Sequence, residues 1–170
     1  MKYKILSVII CCSLLWGSLS LISCSKEKPS TQSILNHLIK NEVSLPSGRV
    51  YLSTAPEGSD FYVSDSLLSA LYGGGSTPIE SKLWIEYSIF LSTTAHPCEF
   101  AVFLCTDTNG ASDTAKMLCR RLDILKSAWL DSEYSAYVES AEITVLKNYC
   151  IFTISSDSKA QKKQICSFIG

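Results

Sequence analysis

The spacing of hydrophobic positions along this chain changes repeatedly, and each change predicts an element. Ile34, Leu35, Leu38 and Ile39 recur at helical spacing, which predicts a helix over residues 31–43 capped by Ser30 or Thr31. Pro46 and Gly48 break that pattern, and Val50-Tyr51-Leu52 reads as a short strand. A second helix is expected behind Ser64, burying Leu67, Leu68 and Leu71 and stopping at Gly73. From Leu83 the period becomes two. Ile85, Tyr87, Ile89 and Leu91 share one face, with Glu86, Ser88 and Ser92 opposite. A loop through Ala95-His96-Pro97 leads to a strand over 99–106, apolar on both faces and therefore central.

Asp107 to Gly110 is turn chemistry, and Ala115, Leu118, Cys119, Leu122, Leu125 and Trp129 trace a long helix beyond it. A two-residue turn at Lys147-Asn148 pairs Val145 with Cys150, Ile143 with Phe152 and Ala141 with Ile154. Every member of that face is then apolar, while Glu142, Thr144 and Thr153 lie on the other; a slip of one residue destroys the segregation. A last helix starting near Asp157 buries Ile165, Phe168 and Ile169. The predicted class is α+β: an antiparallel sheet of about four strands with helices on at least one face, in the order α-α-ββ-α-ββ-α.

The first thirty residues follow a different logic. Lys2 and Lys4 precede Ile5 to Ile22, a stretch without a charged residue, which is the layout of a secretory signal. It ends on Leu21-Ile22-Ser23-Cys24, which resembles the bacterial lipobox: an aliphatic residue, a tolerant position, a small residue and a cysteine. In that reading residues 1–23 are a signal peptide cleaved between Ser23 and Cys24. The Cys24 thiol carries a diacylglyceryl group with palmitate-type chains, and residues 24–30 form a lipidated tether to a single α+β domain over 31–170. Two acyl chains hold a protein stably at a bilayer where one binds only reversibly. An uncleaved membrane anchor and a released soluble form are the competing readings.

Removing residues 1–23 from 170 leaves 147, enough for one ordinary domain. Without Lys2 and Lys4, 13 basic residues face 16 acidic ones, a balance of about −3 with both histidines neutral, which gives no reason to expect nucleic acid. Five cysteines remain besides Cys24, namely Cys98, Cys105, Cys119, Cys150 and Cys166, and an odd number cannot be fully paired. Cys98 and Cys105, seven residues apart on one strand, stand about 23 Å from each other and cannot bridge. The others fall among apolar neighbours, as small hydrophobes do.

Several segments in order resemble a family of uncharacterised bacterial lipoproteins, a domain of unknown function met mostly in Gram-positive anaerobes. They are Leu45-Pro46-Ser47-Gly48, Leu67 to Gly73, Glu99 to Phe103, Arg120-Arg121-Leu122-Asp123 and Asn148-Tyr149, spanning most of residues 31–156. Gly73-Gly74-Gly75 is richer in glycine than the family's pattern there. The resemblance implies a small α+β domain on the extracytoplasmic face of the cell membrane, and it carries no catalytic residues across.

Candidate chemistry is sparse. His37 lies about 130° around its helix from the apolar stripe and is expected in solvent. His96 and Cys98 supply two metal ligands where three or four are needed, and their spacing on a strand does not favour a thiolate–imidazole pair. Asp60 and Asp65 flank loops without an apolar setting and read as solvated surface. Gly73 to Thr77 follows a helix and lacks the Gly-Lys-Ser/Thr of a phosphate loop. Arg120-Arg121 reads as a solvated helix face, with Arg121 pairing locally with an acid. Lys159, Lys162 and Lys163 oppose the dipole of the last helix; they read as a solvated face, with contact to anionic headgroups as the alternative. No catalytic, cofactor-binding or metal-binding residue emerges. The expected function is therefore a binding or structural module of the cell envelope, held at the membrane through Cys24 and meeting an envelope protein or component, with an envelope enzyme as the alternative.

Overall fold

The computed structural model describes residues 28–73 and 83–170. Cys24, Ser23 and the glycine-rich stretch beyond Gly73 lie outside the described residues. Five antiparallel strands form one sheet: β1 (Gly48–Leu52), β2 (Trp84–Ser92), β3 (Glu99–Cys105), β4 (Glu142–Leu146) and β5 (Tyr149–Ile154), in the order β1-β2-β3-β5-β4. The class is the α+β one expected. The fifth strand is the short Val50 segment, lengthened to Gly48 by pairing as an edge to β2. No side chain fits at Gly48, because a Cβ there would run into the Phe90 ring and the Leu91 carbonyl.

Strand β3, apolar on both faces, is the centre of the sheet, and helices cover both sides. One face, with Ala101, Phe103, Cys150 and Phe152, packs under α3 (Thr108–Trp129) and α2 (Asp65–Tyr72). The other, with Phe100, Val102 and Ile151, packs under α1 (Thr31–Asn41) and α5 (Ser158–Ile169). Local chemistry starts the helices as expected. Ser30 accepts from the Ser33 N–H, Ser64 from Leu67 and Asp157 from Ala160, each a side-chain cap on an orphan donor.

Tertiary contacts moved several boundaries. Helix α1 stops at Asn41, two residues early, because Glu42 turns inward to accept from the Ser156 N–H and hydroxyl at 3.2 and 2.6 Å; Val43 is left exposed. The expected turn at Asp107 to Gly110 is instead the start of α3, with the Asp107 carboxylate capping Gly110 at 2.7 Å. A short helix, α4 (Ser135–Glu139), has no counterpart in the hydrophobic pattern. In β2 an irregularity between Trp84 and Glu86 turns Ile85 to solvent and brings Trp84 into the core in its place. Tyr72 rather than Leu67 completes the buried face of α2. The polar side expected of β2 is also covered, for Ser88 is buried against Thr31 at 2.8 Å.

The hairpin keeps its predicted register, Val145 opposite Cys150 and Ile143 opposite Phe152, but pairing ends at Glu142–Thr153, one step short of Ala141. Its other face is not solvated, since Thr144 and Thr153 are buried and Glu142 meets Lys162 of α5 at 3.0 Å. Lys147 closes the turn with φ 55°, a left-handed conformation that costs a side-chain-bearing residue energy. His37, expected in solvent, is half-buried and stacked on Phe168 with ring centroids 4.7 Å apart. Among the described cysteines none is paired, and only Cys98, Cys105 and Cys150 are core; Cys119 and Cys166 are exposed.

Candidate functional site

The antiparallel register gives the sheet two distinct ends. Tyr149 lies opposite Leu104 at one, and Ile154 lies opposite Glu99 at the other. With five steps from Tyr149 to Ile154 in β5 at about 3.4 Å each, the ends stand roughly 17 Å apart.

At the Tyr149 end the chain enters the fold. The Tyr149 hydroxyl donates to the Pro29 carbonyl at 2.6 Å, so the domain holds the chain two residues before α1 begins. A hollow of about 240 Å³ there is lined by Lys28, Pro29, Lys147, Tyr149, Phe168, Ile169 and Gly170. Lys159, Lys162 and Lys163 fall in the first half of α5, whose last residues line this hollow, so they stand away from it. Lys162 is engaged by Glu142.

The Glu99 end holds the more reactive assembly, a cleft of about 290 Å³ between the β2–β3 loop and α3. Glu99 opens an otherwise apolar strand, and its side chain is only 3 % exposed. It survives burial because each oxygen has a donor. The Tyr72 hydroxyl donates to Oε1 at 3.0 Å, and Arg121 Nε and Nη2 donate to Oε2 at 3.3 and 2.8 Å. Burial works against the Arg121 charge, but the attraction and hydrogen bonds of Glu99 more than offset it, and its pKa rises. Burial, followed by the Glu99 charge, lifts the Tyr72 phenol well above its ordinary range. The guanidinium carbon also lies 6.0 Å from the centre of the Tyr72 ring. Arg121 is thus no solvated face, and its acid is on another element, 22 residues away; Arg120 is exposed as expected.

His96 forms a second wall. Its ring is held by Tyr134 and Tyr137, with centroids 4.6 and 5.2 Å away, and Trp129 meets Tyr134 edge-on at 5.8 Å. Nδ1 accepts the Cys98 backbone N–H at 3.1 Å, which places the proton of the neutral imidazole on Nε2. Burial lowers the His96 pKa, keeping the ring neutral near pH 7. Cys98 is not an activated thiol. Burial and the Glu42 and Glu99 charges push it up to about 12, and His96 Nδ1 is taken by the Cys98 main-chain N–H. Asp60 and Asp65 are exposed and stay outside this assembly, and the described residues hold no cluster of three or more His, Cys, Asp or Glu able to bind a metal.

One signal in the chain pointed to the ion pair. Arg121 falls on the apolar stripe of α3, three residues after Leu118 and four before Leu125, where a charge needs a buried partner. Glu99, at the head of an all-apolar strand, is that partner.

No family model matches the chain, and no curated protein or solved structure is similar to it. Among the described residues no helix is long and apolar enough to cross a membrane.

Proposed function

We propose that this chain is a lipid-anchored binding module of the bacterial cell envelope, of the kind met among uncharacterised lipoproteins, that presents the Glu99–Arg121 cleft away from the membrane. The observation that carries the anchor is Leu21-Ile22-Ser23-Cys24 closing a charge-free run behind two lysines. The domain takes up the chain at Pro29, at the opposite end of the sheet from the cleft. Cys24 precedes Lys28 by four positions, so the acyl group is tied to the domain by a reach of at most about 14 Å from Lys28. The cleft then faces outward, where an envelope ligand has access to it.

The test is metabolic labelling of the expressed full chain with an alkyne-tagged fatty acid. Wild type takes up label and partitions with membranes, whereas Cys24→Ala does neither. Equal labelling of the two proteins overturns the anchor.

A further inference from the structure

Resting on the reading of the cleft as a ligand site, we infer that it takes a single neutral sugar ring bearing an acetamido group, bound through the carbonyl. The charge balance argues for neutrality. Arg121 is already matched by a carboxylate bonded to it through two nitrogens, so an anionic ligand brings a second negative charge beside Glu99 with no free cation to meet it. The donors argue for the carbonyl. Arg121 Nη1 has no partner among the described residues, and neither has His96 Nε2, which carries the imidazole proton. Both residues line the cleft, whereas both oxygens of its buried carboxylate are already occupied. An acceptor is what the site lacks.

Size and lining argue for a sugar. About 290 Å³ lies at the small end for ligand pockets and suits one ring. Trp129, Leu91 and Leu125 give it an apolar wall for the carbon face of a ring, while Ser92 and Thr94 give a hydroxyl-bearing rim. The His96 ring needs no reorganisation to donate, because two tyrosines and the Cys98 N–H already hold it.

The experiment is titration of the purified lipidated protein, kept in a sugar-free zwitterionic detergent, with N-acetylglucosamine, followed by NMR at the indole N–H of Trp129. Trp84, buried away from the cleft, is the internal control. A saturable shift at Trp129 and not at Trp84 is expected, with glucosamine and glucuronate binding at least tenfold more weakly. His96→Phe keeps the aromatic packing but removes both the donor and the acceptor of the Cys98 N–H, so Tm falls, and the folded variant binds about tenfold more weakly. Absence of a saturable shift up to about 50 mM sugar, or tighter binding of glucuronate, overturns the inference, as does full affinity in a folded His96→Phe protein. Labelling and the same titration on Cys24→Ala protein separate the two readings: label on Cys24→Ala equal to wild type with sugar binding intact overturns the anchor alone, and label lost in Cys24→Ala with no sugar binding in either protein overturns the ligand alone.

Discussion

The two ends of the sheet solve opposite problems with the same antiparallel ladder. At the Tyr149 end, apolar and backbone groups close the fold around an incoming chain: a tyrosine hydroxyl on a carbonyl, Phe168 against His37, and a strained lysine at the hairpin tip. Each contact is local or modest. At the Glu99 end, a charge sits under the sheet surface and is tolerated only through a tyrosine and an arginine from two different helices. The first end loses little when one contact is removed. The second is all-or-none, because a buried carboxylate without its donors has nowhere to place its charge.

Cysteine reactivity separates the two ends most sharply. Cys166, exposed in the last turn of α5, labels with a thiol reagent in the native protein at pH 8 on the order of a thousand times faster than Cys98. At a pKa of about 12 only about one Cys98 thiol in ten thousand is ionised there, and it is buried as well. Mass spectrometry of the timed reaction checks this, and comparable rates would mean that the cleft end opens freely.

Arg121→Met strands Glu99 and lowers stability by about 3–5 kcal/mol in urea unfolding, whereas adding Glu99→Gln to it recovers a large part of the loss. Additive losses in the double variant would show that the pair is not coupled. At the other end the effects are smaller. Tyr149→Phe removes one hydrogen bond and costs about 1 kcal/mol. Lys147→Gly relieves the left-handed backbone and raises stability by about 0.5–1 kcal/mol in the same measurement.

The smallest effect is a pH dependence. Burial holds the folded-state pKa of His96 below 6.5, so as pH falls through that value the unfolded chain takes up the proton first and stability drops. Between pH 7 and pH 5, His96→Phe shows a shallower fall than wild type, by a few tenths of a kcal/mol, and identical slopes would exclude His96 as the titrating group.

Elements whose specification is local were readable along the chain. The caps at Ser30 and Ser64, the all-apolar central strand and the hairpin register follow from residues within a few positions of each other. Boundaries set by distant partners were not. Nothing near Glu42 reveals Ser156 across 114 residues, and nothing near His37 reveals Phe168. The edge strand β1 and the short α4 are too brief to show a period, and the irregularity in β2 displaces Ile85 only because Trp84 finds Thr114 across the core at 2.8 Å. Polar faces misled for one physical reason. Period tells which residues share a side, but not whether a second layer of helices covers it, and here α1 and α5 do.

What the sequence determined by itself was the α+β class and the strand at its centre, because each is written in consecutive residues; the Leu21-Ile22-Ser23-Cys24 run behind the proposed anchor is read in the same local way. Only the tertiary structure decided that Glu99, Arg121, Tyr72 and His96 meet at one end of the sheet and that the chain enters at the other. Burial of a charge depends on donors from separate elements, and their convergence exists only once the helices have docked.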